Sequence, residues 1–232
     1  MPTIVFGCGK GGVGKSTSAM LLATELTKLG ADVTVIDADP NKPISTWSGR
    51  GGLPPSLIVK AEASEDSIID TIEASALETT FVIVDLEGTA SMMVGYAMSR
   101  ADLVIIPMQG SYLDAAEANK AVALVRRQER AFGRKIPFAI LFTRTSATIR
   151  PRTLQSIAGE LVQKNLPVFD TQIHERDAYK AIFAFGGTLD ELDASQVPNI
   201  PAAIANARAF AAEVLRLLKQ NMPAEQPAMA AS

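Results

Sequence analysis

Eight residues near the N-terminus, Gly9-Lys10-Gly11-Gly12-Val13-Gly14-Lys15-Ser16, constrain this chain more than any other stretch. They match G-x-x-x-x-G-K-[ST] and stand between an apolar β-branched run, residues 3–7, and a helix-like stretch, residues 15–29. A strand that turns through glycines into a helix gathers backbone N–H groups and the positive end of the helix dipole at one point. Glycine is needed because a loop that wraps an anion uses conformations that a Cβ obstructs. The expected ligand is a nucleoside triphosphate, with Lys15 neutralising the β- and γ-phosphates and the Ser16 hydroxyl on Mg²⁺.

Beyond the loop, apolar runs at 32–36, 57–60, 81–84, 103–107, 137–142 and a short one near 167–168 alternate with helix-like stretches. The latter cover 65–78, 90–100, 114–132, 149–165 and 176–185. Continuous apolar strands separated by helices specify an α/β fold, a mostly parallel twisted sheet with helices on both faces. One P-loop domain is expected over residues 1–221, ending in an alanine-rich helix at 201–221. The Pro/Ala tail at 222–232 is expected to be disordered. With the first strand at residue 3, no N-terminal helix-turn-helix module is expected. Ligands of such sheets bind at the C-terminal edge of the strands.

Two acidic strand ends should therefore flank the loop. In Val33-Thr34-Val35-Ile36-Asp37-Ala38-Asp39, carboxylates at i and i+2 leave a buried strand, one suited to metal-bound water and the other to the attacking water. Phe81-Val82-Ile83-Val84-Asp85 has the form of a Walker B strand, which assigns Asp85 to Mg²⁺.

Composition removes several alternatives. No apolar run reaches the roughly 18–20 residues of a membrane span, and no signal peptide is expected ahead of the first strand. A cytoplasmic location is expected. Cys8 is the only cysteine, so an internal disulfide or a multi-thiolate centre within one chain is excluded, and His174 is the only histidine. The net charge of −3 conceals an asymmetry: residues 120–180 hold 12 Lys/Arg against 5 Asp/Glu. A basic stretch in an acidic protein marks either a polyanion-binding face or solvated helix surface.

With these motifs in place, residues 3–185 resemble the ParA/MinD family of deviant Walker-A ATPases. Lys10 in Lys10-Gly11-Gly12-Val13-Gly14-Lys15-Ser16-Thr17 carries the resemblance, because an ordinary P-loop needs no lysine there. Asp37-Ala38-Asp39-Pro40-Asn41 is similar to the family's D-x-D-P-Q, and Asp102-Leu103-Val104-Ile105-Ile106-Pro107 to its fifth-strand segment. Small partition ATPases without an N-terminal DNA-binding domain look closest. The resemblance implies that Lys10 reaches the partner's phosphates across an ATP-sandwich homodimer, coupling hydrolysis to dimerisation. It also implies water activation by Asp39, a place for Asp37 near Mg²⁺, and base contacts from Thr143 and Arg144.

One departure stands out: Leu86-Glu87-Gly88 replaces the family's Thr-Pro-Pro after the Walker B acid. Glu87 would repel phosphates unless compensated, and a solvent-facing side chain is favoured.

Three functions compete. A ParA-like partition ATPase would bind DNA non-specifically as the ATP dimer, associate with the nucleoid in that state, and release when a ParB-like or other partner stimulates hydrolysis. Its candidate DNA contacts are Arg126, Arg127, Arg130, Arg150, Arg152, Arg176 and Lys180. A MinD-like membrane-cycling ATPase needs a basic amphipathic C-terminal helix. The alanine-rich 201–221 stretch suits packing on the domain better, so a membrane partner is disfavoured. A metabolic P-loop enzyme has no use for Lys10, and the nitrogenase iron-protein branch needs two cysteines per chain.

Overall fold

Parallel pairing forces each strand to return to the starting edge through a crossover, and the alternation of apolar runs and helices supplies one after nearly every strand. The computed structural model describes residues 1–7, 11–61, 63–87, 91–149 and 151–221. In chain order the elements are β1 (Thr3–Phe6), α1 (Lys15–Lys28), β2 (Val33–Ala38), α2 (Pro43–Ser48), β3 (Leu57–Lys60), α3 (Ile68–Glu78), β4 (Phe81–Leu86) and α4 (Met92–Ser99). They continue with β5 (Leu103–Met108), α5 (Tyr112–Phe132), β6 (Phe138–Thr145), α6 (Arg152–Gln163), β7 (Ile173–His174), α7 (Asp177–Phe185), a 3-10 turn at Leu189–Glu191, and α8 (Ile200–Asn221).

The sheet runs β3-β2-β4-β1-β5-β6-β7, with every pairing of these strands parallel. Two layers cover it. Helices α1, α2, α7 and α8 bury Leu21, Leu22, Trp47, Ile182 and Phe210 on one face. Helices α3 to α6 bury Ile72, Val94, Val125 and Ile157 on the other. The central strands are apolar on both faces because both are covered.

Three expectations need correction. The run near 167–168 forms only an isolated bridge, Ile140 to Val168. Pro167 has no N–H for a ladder, and the next free amides, Asp170 N and Thr171 N, donate to the two oxygens of Glu213 at 2.8 Å each. The last strand is instead β7, two residues long and shifted in register. Helix α2 has no counterpart in the sequence reading. It starts on Pro43 after Lys42 turns at φ +49°, and it is held by the fully buried Ile44 and Trp47. Helix α6 starts only at Arg152, behind Pro151.

Candidate functional site

Helix α1 begins where the glycine loop ends. Gly14 caps it at φ +92° and Gly12 turns at φ +78°, left-handed values that favour glycine. The loop rests on polar struts from neighbouring strands. The Thr143 hydroxyl at the end of β6 lies 2.6 Å from Val13 O and 3.1 Å from Met108 O, and Gln109 Nε2 donates to Gly12 O at 3.2 Å. Lys15 is buried, while Ser16 and Thr17 are half-buried at the mouth. Gly9 and Lys10, and with them the trans-acting role expected of Lys10, lie outside the described residues.

Strands β2 and β4 bring the acids to the same edge. Asp37 and Asp85 are register partners on adjacent strands, both without solvent exposure. Asp37 Oδ2 accepts from Ser45 N at 2.7 Å and from Ser45 Oγ at 2.8 Å, whereas its Oδ1 and both oxygens of Asp85 have no hydrogen-bond partner among the described residues. Burial pushes the Asp85 carboxyl up to about 7, and the charges of Asp37 and Asp39 add to the rise. Ser16, close by but outside hydrogen-bonding geometry, and the Lys15 charge oppose it. Two buried carboxylates facing each other with three unpartnered oxygens, beside a lysine and a serine hydroxyl, match what a hard divalent cation requires. Asp39 is half-buried, and its Oδ1 accepts from Asn41 N and Nδ2 at 2.8 and 3.0 Å, which orients the carboxylate.

Asp37 and Asp85 are fully buried, while Asp39 lines a cleft of about 930 Å³ together with Gly11, Gly12, Gly14, Lys15, Ser16 and Thr17. Exposed Glu87 lies on its wall. Sequence reasoning missed Gln109, Ser45, Lys42 (whose Nζ donates to Asp37 O at 2.8 Å) and the outer wall of Leu113, Glu117, Lys120 and Phe183. Only the rule that ligands sit at strand C-termini pointed to Gln109. A side pocket of about 300 Å³ joins the cleft past Gly14 and Thr17, bounded by Thr143, Arg144, Ile173, Arg176 and Tyr179. Thr143 and Arg144 both line this side pocket. Thr143, buried under the loop with its hydroxyl engaged, offers less to a base than exposed Arg144 does.

The basic stretch divides in space. Arg144, in the last residues of β6, lines the cleft and its side pocket, and Arg176 and Lys180, after β7, line the side pocket, whereas Arg152 opens α6. Lys180 is tied to Glu175 and Asp177. Arg126, Arg127 and Arg130 occupy the other end of α5, about 20–27 Å along the helix from its start at 1.5 Å per residue. Arg126 there pairs with Glu129 and sits 5.1 Å over the Phe138 ring. Arg150 lies outside the described residues.

A family model described as "VirC1 protein" matches residues 1–223. The chain is 40% identical over 220 residues to "Protein ParA" of Rhizobium radiobacter, covering 95% of this chain and 99% of that one. Among solved structures, the ATP complex of the D38A variant of Cyanothece McdA superposes with a TM-score of 0.72 at 17% identity, covering 97% of this chain and 99% of the other. A plasmid partition protein of Borrelia burgdorferi bound to AMPPNP gives 0.69 at 18% identity, covering 96% and 100%.

Proposed function

The chain belongs to the VirC1 protein family, within the ParA/MinD class of P-loop ATPases, and from that premise we propose that it is a partition-type ATPase working as an ATP-bound homodimer on DNA. The observation that carries the hydrolytic part is the set of three unpartnered buried carboxylate oxygens on Asp37 and Asp85 beside Lys15 and Ser16. Ser16, Asp37 and Asp85 would hold Mg²⁺, which when bound screens phosphate charge. The chain's own groups do the rest. The loop amides and Lys15 hold the phosphates, Asp39 orients the attacking water, and Lys10 of a second copy supplies charge at the transferred phosphoryl group.

For the DNA step, Arg144 lines the cleft and Arg176 the adjoining side pocket, so a dimer closed over nucleotide would bring two such sets together, with Arg152 of α6 a further candidate. Charge of that kind tracks phosphates without reading sequence and weakens steeply with salt. A stimulating partner protein would then reset the cycle. The membrane-cycling alternative gains nothing from α8, whose Ala207, Phe210, Val214 and Leu218 are spent on the core. No helix among the described residues is long and apolar enough to cross a membrane.

The test is DNA binding across a salt series by the wild-type chain with ATP, with ADP, and as Lys10→Ala. Binding should require ATP, fall with salt, and weaken in Lys10→Ala. Equal binding in all three states would sink the reading, and ATP-dependent flotation with liposomes would favour the membrane alternative.

A further inference from the structure

We infer that Ser45 is the positioning residue that aims the Asp37 carboxylate at a divalent cation, an inference that rests on the ATPase reading above. Asp37 ends β2 with its side chain fully buried. Rotation about the last torsion of an aspartate is soft, so burial alone does not decide where each oxygen points. Ser45 decides it. Its amide and its hydroxyl both donate to the same oxygen, Oδ2, at 2.7 and 2.8 Å. Among the described residues the other oxygen is left without a partner, on the strand that pairs Asp37 with Asp85, whose two oxygens are also unpartnered there.

Ser45 can impose this geometry because its own place is fixed from behind. Helix α2 has six residues, too few to persist without tertiary support. Ile44 and Trp47 anchor it in the core, and Trp47 Nε1 donates to Gly187 O at 3.0 Å, beyond the end of α7. From the other side, Lys42 Nζ holds Asp37 O at 2.8 Å. The carboxylate is thus clamped between its own strand and a helix pinned to the end of α7 in the same layer.

A purely structural account exists: Asp37 caps the N-terminus of α2, whose first amides lack helical partners. That account needs the carboxylate and the Ser45 amide but has no use for the Ser45 hydroxyl. Ser45→Ala keeps the amide and deletes only the hydroxyl, so it separates the two.

The experiment titrates Mg²⁺ into the ADP-bound protein by calorimetry, with ADP affinity measured in EDTA alongside. Ser45→Ala should weaken Mg²⁺ binding about tenfold, the low end for losing a group that orients a metal ligand, because the amide remains. ADP affinity in EDTA should stay within about twofold, and Ser45→Thr, which keeps the hydroxyl, should restore most of the Mg²⁺ affinity. Unchanged Mg²⁺ affinity in Ser45→Ala overturns the inference. So does an equal loss of ADP affinity in EDTA, or a Ser45→Thr variant no better than Ser45→Ala. A wild-type chain that binds ADP without any Mg²⁺ dependence removes the reading and the inference together.

Discussion

Buried carboxylates occur in two regions of this molecule and are treated in opposite ways. On the α1/α8 side, Glu25 is 3% exposed and paired with Lys28 at 2.7 Å, and Glu213 is 7% exposed and accepts two amides and Arg216. At the C-terminal edge of β2 and β4, Asp37 and Asp85 are fully buried and keep three oxygens without partners among the described residues. A buried acid is costly unless hydrogen-bonded or paired. Glu25 and Glu213 are therefore compensated by the chain itself, and serve the fold. The aspartates are compensated only in part, through Ser45 on Asp37, and the oxygens left over are what suit the edge to a ligand.

The sharpest way to break this comparison is to exchange the consequences. Asp85→Asn should lower ATP hydrolysis by about 10²-fold or more, since it removes a carboxylate proposed to hold Mg²⁺, and steady-state turnover at saturating Mg²⁺ reads it out. Glu213→Ala should leave turnover unchanged well below the melting temperature. It should instead cost about 3 kcal/mol in denaturant unfolding, because the Asp170 and Thr171 amides lose their acceptors. A Glu213 variant that hydrolyses poorly while fully folded would erase the distinction.

The same contrast explains what the sequence made legible. The glycine loop, the two acid-ended strands and the parallel sheet were readable because each depends on local patterns: glycine spacing, apolar runs, a charge at a strand end. Helix α2 was not readable, since its six residues carry too little periodicity and it is held by Trp47 reaching Gly187, 140 residues away. The grouping of arginines failed for a related reason. Residues 126–130 and 144–180 are neighbours in the sequence, but α5 carries the first group away from the edge where the second emerges. For Thr143 the position was legible and the side-chain direction was not, because the carbonyl it meets belongs to a loop 130 residues earlier.

The pH response sharpens the comparison next. Burial holds the proton of Asp85 to about pH 7, against 3.8 for the ordinary carboxyl. Between those values the folded state binds a proton that the unfolded chain has released. The stability from this group is therefore complete at low pH and declines as pH rises to about 7. Without Mg²⁺ and nucleotide, Asp85→Asn should melt above wild type at pH 8, by an amount worth about 2 kcal/mol, and the gap should close toward pH 4. One substitution would then stabilise the resting protein and cripple the working one, as expected where function leaves a charge uncompensated. Coincident melting curves at pH 8 would show that the fold already compensates Asp85.

The smallest effect probes the well-compensated side. Arg208 stands 3.8 Å from Glu25 and is mostly exposed, whereas Lys28 holds the same carboxylate at 2.7 Å and also pairs with Asp190. If Glu25 is neutralised from within the fold, its long exposed partner is dispensable. Arg208→Ala should change unfolding stability by less than about 0.5 kcal/mol, as for most surface pairs at that distance. Lys28→Ala should cost more, because among the described residues Arg208 is then the cation left near an acid that is 3% exposed. Equal losses in the two variants would mean that Glu25 draws on surface charge after all, and that the two kinds of buried acid differ in degree only.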